Sequence, residues 1–373
     1  MHNIYGFGIN DTVYLLSRLL NEKGIVEKNN RTKSEMLSIY NVTFKIHNPT
    51  DLYLDLEGRK SNIFALIAET LWVLSGSIDI NPFLSLFLKR AKDFSDDGLT
   101  WRGGYGKRLY KNKQLNYIVE NLSKDKTSRR AVLSIYDPGL DTPDSLKKVY
   151  GLNNTVDLPC NNLLYFYITN DKLCLHVTQR SGDIIWGLGS INLFEWLSLQ
   201  NIISSILGVE VGYYTHYVNN LHVYKTNKLV FDQFKNIVDK KCLPKTRNNN
   251  HNLFKFKKGL NIDNFRVFMN EIYILFCMLI KELENKSSNN VIESIFNLLN
   301  NKLKEENILE IDNNEFYCWI FLIVNYILYK FNRNDLLINL SNKLSKSLEL
   351  KKVVKNCSFI GEECKKSILE EKE

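Results

Sequence analysis

A chain of 373 residues is long enough for two ordinary domains, or for one large domain with an appendage. Apolar residues make up 44% and charged residues 24%, which excludes global disorder and leaves material for a sizeable core. The net charge of +8 suits an anionic ligand such as a nucleotide, but no stripe of arginines alternates with aromatics, which argues against nucleic acid as the partner.

The opening MHNIYGFGIN has no basic stretch followed by an apolar one. The most apolar run, Phe316 to Tyr329, is interrupted by Asn325 and is too short to cross a bilayer. The expectation is a soluble cytoplasmic protein with no membrane partner. The cysteines at 160, 174, 242, 277, 318, 357 and 364 form no C-x-x-C pair and do not cluster with histidines, so neither a metal site nor a disulfide framework is expected.

In chain order, helical periodicity first appears at Ile63 to Leu74, where Glu69 sits inside the apolar run AETLWVLSG. The glycine turn GGYGKRL then carries Tyr105, and Arg129-Arg130 read locally as exposed turn charges. The segment LLYFYITNDKLCLHVTQ predicts two strands joined by a turn at Thr169 to Lys172. Cys160 opens the first strand after Pro159, and Gln179-Arg180-Ser181 closes the second, so the hairpin brings a thiol beside a guanidinium. A free thiol has a pKa of ~8.5, and a neighbouring cation favours the nucleophilic thiolate. Taken alone, the local pattern favours a small core thiol and a surface arginine.

A second helix is predicted at Leu193 to Leu207, and His222 and Tyr224 alternate on a strand, facing the same side. Strands mixed with helices imply an α+β domain over 1–245. The polar stretch Lys245 to Asn252 reads as a linker. Beyond it, 253–373 read as a helical bundle. Phe265, Phe268, Met269, Ile272, Leu275, Phe276 and Leu279 form a stripe with Asp263 placed to cap it, and further helices are expected at Val291 to Leu303, Glu315 to Phe331 and Leu336 to Leu348. The charged tail from Gly361 is expected to fray.

The motifs NNRTKSEMLSIYNVTF, AETLWVLSG, GGYGKRL, SRRAVLSIYDP, LPC, QRSGDIIWGL, the helix start at Asn192 and NNLHVY occur in this order between Arg31 and Tyr224. Together they resemble the thymidylate synthase family over roughly half the chain. The resemblance implies a mixed sheet flanked by helices, with the helical region as an extra C-terminal element. It implies that the Cys160 thiolate adds to C6 of a pyrimidine nucleoside 5′-monophosphate, so that C5 attacks the methylene of 5,10-methylenetetrahydrofolate, the co-substrate. It puts Arg31, Arg180 and Ser181 around the 5′-phosphate, with Arg129 and Arg130 donated by the other subunit of a homodimer, and Gln179 among the nucleotide-binding residues. Glu69 and Asn161 would order water and move protons, and Tyr105 would serve C5 proton removal. Asn192 would read the base, His222 and Tyr224 would hold the sugar hydroxyl, and Asp183 and Gly187 would meet the pterin.

Four departures bear on the reaction. Asn161 stands where synthases usually carry His, and GLGSIN is one residue longer than their GLPFN. The segment FLKRAKDFSDD lacks their Trp, leaving Phe94 as the nearest aromatic and Trp101 and Trp186 to compensate. The segment that closes over the folate is not recognisable. The last two favour water over hydride at the exocyclic methylene, and so a hydroxymethyl product. The alternatives are a true thymidylate synthase acting on dUMP and a nucleotide-binding homologue without activity. Asn192 leans towards uracil without excluding cytosine; if it does not read the base, it would cap the helix that follows.

Overall fold

The computed structural model describes residues 2–29, 33–240, 243–244, 252–305, 307–310, 314–344 and 347–370. Its centre is a seven-stranded mixed sheet: β1 (His2–Gly6), β2 (Ile25–Lys28), β3 (Glu35–Ile46), β4 (Val132–Ser134), β5 (Asn161–Thr169), β6 (Lys172–Asp183) and β7 (Glu210–Tyr224). The spatial order is β1-β3-β7-β6-β5-β4, with β2 pairing the start of β3. The β5–β6 hairpin turns at Asn170 and Asp171, both left-handed at φ 50° and 58°. Asn and Asp tolerate that conformation, which suits a two-residue hairpin turn.

The β6 and β7 strands run parallel, so the chain must cross over between them, and the Leu193–Leu207 helix makes that crossing. Its sequence LFEWLSLQNIISSIL is apolar all round, and 14 of its 15 residues are buried. The Ile63–Ser75 helix is similarly enclosed. One face of the sheet packs Tyr214, His216 and Val218 of β7 inward. On the other face the half-buried Tyr165 and His176 rings lie 5.7 Å apart, and Lys45 Nζ sits 3.7 Å over Tyr213.

The C-terminal helices share this core. Phe83 stacks on Phe276 at 5.4 Å, Phe64 on Tyr326 at 4.9 Å and Phe194 on Trp319 at 5.1 Å. Three local expectations are corrected. The Ile262–Glu284 helix is capped not by Asp263 but by Asn261, whose side chain accepts from the Asp263 and Asn264 amides. The stretch 336–348 is not one helix: buried Asn325 accepts from Ile338 N at 2.7 Å and donates to its carbonyl at 2.8 Å, holding the chain around Ile338 outside a helix, and among the described residues beyond Leu336 the helical segments are Ser341–Leu344 and then Leu348–Asn356. The tail is packed rather than frayed over Glu362–Leu369, because Cys364 and Ile368 fall one turn apart and are buried. Of the expected linker, 245–251 lie outside the described residues, as does Cys242. Among the described residues no helix is long and apolar enough to cross a membrane.

Candidate active site

The hairpin register sets Asn161 opposite Gln179, and this brings the ends of β5 and β6 together. Arg180 N donates to the Cys160 carbonyl at 2.9 Å, while its guanidinium donates to Pro159 O and Leu158 O, each at 2.9 Å. Clamped in this way, Arg180 Nη2 lies 3.7 Å from Cys160 Sγ. Next along the strand, buried Asn161 donates to the Tyr105 hydroxyl at 2.9 Å, and its own Oδ1 has no partner among the described residues. Ser181 pairs with Asn220 and Asp183 with His222 across β6 and β7. His222 Nδ1 is 2.9 Å from Asn220 Oδ1, and the Tyr224 ring stands perpendicular to the imidazole at 5.0 Å.

Tyr105 is delivered by the glycine turn. A Cβ on Gly106 would lie 2.4 Å from Val73 O, so only glycine lets the Tyr105–Tyr110 helix press against the Ile63–Ser75 helix. The Tyr105 ring packs 5.4 Å from Trp196, and burial raises its pKa, with the charges of Cys160 and Glu195 adding. Glu69 projects from the Ile63–Ser75 helix into this corner, where desolvation pushes its carboxyl up to about 8.

A second carboxyl stands there that the sequence reading missed. Glu195 is 2% exposed, and neither of its oxygens has a hydrogen-bond partner among the described residues. Burial holds it well above the usual carboxylate range, the charge of Glu69 adds to this, and the Asn192 amide opposes it. Two such acids resist ionising together in one site, so the pair titrates above the usual carboxylate range. The signal was a lone acid in the wholly apolar run LFEWLSL. Asn161 Oδ1, both Glu195 oxygens and Trp196 Nε1 are therefore buried polar atoms awaiting partners in one region.

The extra residue of GLGSIN is absorbed as a wide π-helical turn over Gly187–Asn192, which leads directly into the Leu193–Leu207 helix. Asn192 is already helical at φ −66° and caps nothing with its side chain. Its Oδ1 accepts from Gln179 Nε2 at 3.0 Å, so Gln179 stands behind Asn192. Gly187 leaves room between the two: an added Cβ would meet Asn192 Oδ1 at 3.6 Å and Asp183 Cβ at 4.0 Å. Asp183 Oδ1 accepts from the Ile185 and Trp186 amides, and its buried Oδ2 has no partner among the described residues. Arg59, in a polar stretch that gave no signal, donates to the Ile184 and Ile185 carbonyls; burial lowers its pKa to about 10, opposed by the charge of Asp183.

Of the aromatics expected to compensate for the missing Trp, Trp101 packs edge-on against Trp72 and Phe94, at 5.5 and 6.3 Å. Trp186 is 39% exposed, with the Arg90 guanidinium 4.5 Å over its ring. Two expected residues stand apart from this cluster. Arg129 and Arg130 are exposed in the loop before the edge strand β4, with no ion pair to a described residue. Arg31 lies outside the described residues.

The profile of the thymidylate synthase family matches residues 13–273. A deoxyuridylate hydroxymethyltransferase of Delftia phage PhiW-14 is 47% identical over 186 residues, 50% of this chain and 52% of that protein. One of Bacillus phage SP01 is 34% identical over 223 residues, 56% of this chain and 55% of that protein. The chain thus spans about half the length of the curated relatives it matches. The solved structure of thermostable thymidylate synthase A from Bacillus subtilis resembles this one with a TM-score of 0.50 at 23% identity, over 62% of this chain and 84% of that one, a likeness of fold. With a profile match over more than half of its length and the fold to accompany it, the chain belongs to the thymidylate synthase family.

Proposed function

We propose that this protein transfers a one-carbon unit from 5,10-methylenetetrahydrofolate to C5 of deoxyuridine 5′-monophosphate and releases the 5-hydroxymethyl nucleotide. The observation that carries this reading is a thiol, Cys160, clamped 3.7 Å from the Arg180 guanidinium beside a corner holding Tyr105, the half-buried Glu69 and the buried Glu195. The names of the phage relatives support the same reaction.

In this account the Cys160 thiolate bonds to C6, and the C5=C6 electron pair moves to C5, which attacks the folate methylene. Loss of the C5 proton, served by Tyr105, expels tetrahydrofolate and leaves an exocyclic methylene conjugated to C4=O. Water then bonds to that methylene while the double-bond electrons move onto O4. Glu69 takes the proton of the water; a base titrating at about 8 is suited to that transfer. Protonated Glu195 holds the water by donating to it, and collapse of the enolate releases Cys160 as thiolate. Every atom of the added hydroxyl comes from water, and the folate is not oxidised.

Asp183 fits the folate. Its buried Oδ2 is an acceptor without a partner among the described residues, and a pterin offers N–H donors. Arg180 and Ser181 would take the phosphate, with Arg31 and, across a homodimer, Arg129 and Arg130 of the second copy; His222 and Tyr224 would take the sugar. The half-buried tyrosine-rich sheet face suits such a second copy.

Incubation with methylenetetrahydrofolate and a panel of dUMP, dCMP, UMP and CMP tests the reaction. Mass spectrometry should find a hydroxymethyl product from dUMP, absent with Cys160→Ser. A methyl product with dihydrofolate would establish the synthase reaction instead. Mixing Arg130→Ala and Cys160→Ser chains should restore activity in hybrid dimers. No recovery, with subunit exchange verified, counts against shared sites.

A further inference from the structure

An asparagine that reads a pyrimidine can present either end of its amide. An outward Nδ2 donates to O4 of uracil, and an outward Oδ1 accepts from N4 of cytosine. Three side chains behind Asn192 bear on which end faces out. Gln179 Nε2 lies 3.0 Å from Asn192 Oδ1, Gln179 Oε1 lies 2.9 Å from His216 Nε2, and His216 Nδ1 lies 2.6 Å from the Tyr214 hydroxyl. Tyr214 and His216 are both 0% exposed, and Gln179 is 1% exposed. Phe44 stacks flat on the His216 ring at 5.0 Å, which fixes the plane of the imidazole. Burial, helped by His176, holds His216 well below the ordinary histidine range, so the ring is neutral and carries one N–H.

With a neutral ring this chain of hydrogen bonds has two directions. In the first, Tyr214 O–H donates to Nδ1, Nε2–H donates to Gln179 Oε1, Gln179 Nε2 donates to Asn192 Oδ1, and Asn192 Nδ2, which borders Glu195, is the end left to donate outward. In the second, Nδ1–H donates to Tyr214, both amides are turned over, and Asn192 Oδ1 faces out. The second direction leaves the Tyr214 hydroxyl proton fully buried with no other acceptor among the described residues. A buried donor left unpaired is the costlier arrangement, so the first direction prevails.

We infer that Tyr214, His216 and Gln179 form a one-way relay that locks Asn192 in the orientation that reads uracil. This rests on the proposed function, which sets Asn192 against the base. Tyr214 and His216 are then positioning residues for base choice, acting through Gln179.

The test compares kcat/KM for dUMP and dCMP, with methylenetetrahydrofolate, in wild type, Tyr214→Phe, Asn192→Asp and the double variant. Tyr214→Phe keeps the ring but removes the hydroxyl, so the two directions then differ only by a bare Nδ1 against an unpaired Nδ1–H, a smaller preference of the same sign. The dUMP-to-dCMP ratio should fall, by no more than the roughly 5- to 150-fold that one unpaired buried polar group contributes. Both substrates meet the same preparation, so the ratio does not depend on the folded fraction. A carboxylate at position 192 has no ends to turn, so Tyr214→Phe should leave the ratio of Asn192→Asp unchanged. An unchanged ratio in Tyr214→Phe, or equal shifts in both backgrounds, would overturn the relay. Failure of wild type to turn over dUMP at all would instead sink the proposed function, and it is read separately in the same assay.

Discussion

Two enclosed acids, the buried Glu195 in the sheet region and the half-buried Glu315 in the C-terminal helices, have opposite surroundings. Glu315 accepts from the Tyr53 hydroxyl and, at 2.7 Å, from Ser347 Oγ, and Trp319 Nε1 donates in turn to Tyr53 at 2.9 Å. Burial pushes its carboxyl up to about 7, but the donors compensate it, and the network ties the helices to the sheet region. Glu195 makes no close hydrogen bond on either oxygen among the described residues, has only the Asn192 amide beside it, and faces a second acid. A partnered buried acid is part of the architecture. An unpartnered one is costly to bury and marks a candidate functional site.

The largest effect that separates the two regions should come from the proposed nucleophile. Cys160→Ser should lower turnover on the order of 10³-fold or more, as removal of other covalent nucleophiles does. Next, Glu69→Gln should reduce hydroxymethyl formation by about 10²- to 10⁴-fold, the usual scale for a lost general base. Glu315→Gln, measured in the same assay, should leave turnover unchanged. A comparable loss with Glu315→Gln would erase the distinction between architectural and functional acids.

Stability should respond in the opposite order. A glutamine at 315 can accept only one of the two bonds now made, so chemical denaturation should show a loss of about 1–2 kcal/mol. Glu195→Gln removes an acid that burial and Glu69 disfavour, and it should leave the protein equally stable or more so at pH 8. A loss equal to that of Glu315→Gln would mean that Glu195 has a structural partner after all.

The smallest effect is a pH slope. Both Glu69 and Glu315 titrate higher in the folded chain, at about 8 and about 7, than the usual 4.5. Unfolded, they release their protons first. The stability present below pH ~4.5 is therefore lost progressively as pH rises towards 8. Glu315→Gln should remove the part of the slope that ends near pH 7, and Glu69→Gln the part that reaches pH 8. A flat wild-type profile between pH 5 and 8 would show that neither acid is raised.

Much of this was legible in the sequence where a local rule decides the outcome. Apolar periodicity located the Ile63–Ser75 and Leu193–Leu207 helices, and a two-residue turn at Asn170-Asp171 fixed the register that brings Cys160 to Arg180. What stayed hidden depends on packing between elements. Glu195 lies on a helix buried on every side, where periodicity distinguishes no face. The Gln179–His216 contact exists only because β6 runs parallel to β7 in one particular register. The break in the expected 336–348 helix comes from Asn325, whose amide takes both backbone groups of Ile338. The extra residue in GLGSIN was visible, but its absorption as a π-turn was not.

In the proposed reaction the acid corner delivers water, and not hydride, to the exocyclic methylene. Turnover of dUMP with methylenetetrahydrofolate in H₂¹⁸O measures this directly. The account predicts a 5-hydroxymethyl nucleotide carrying one ¹⁸O together with unoxidised tetrahydrofolate, and loss of that labelled product in Glu69→Gln. Thymidylate without label, formed together with dihydrofolate, would contradict it.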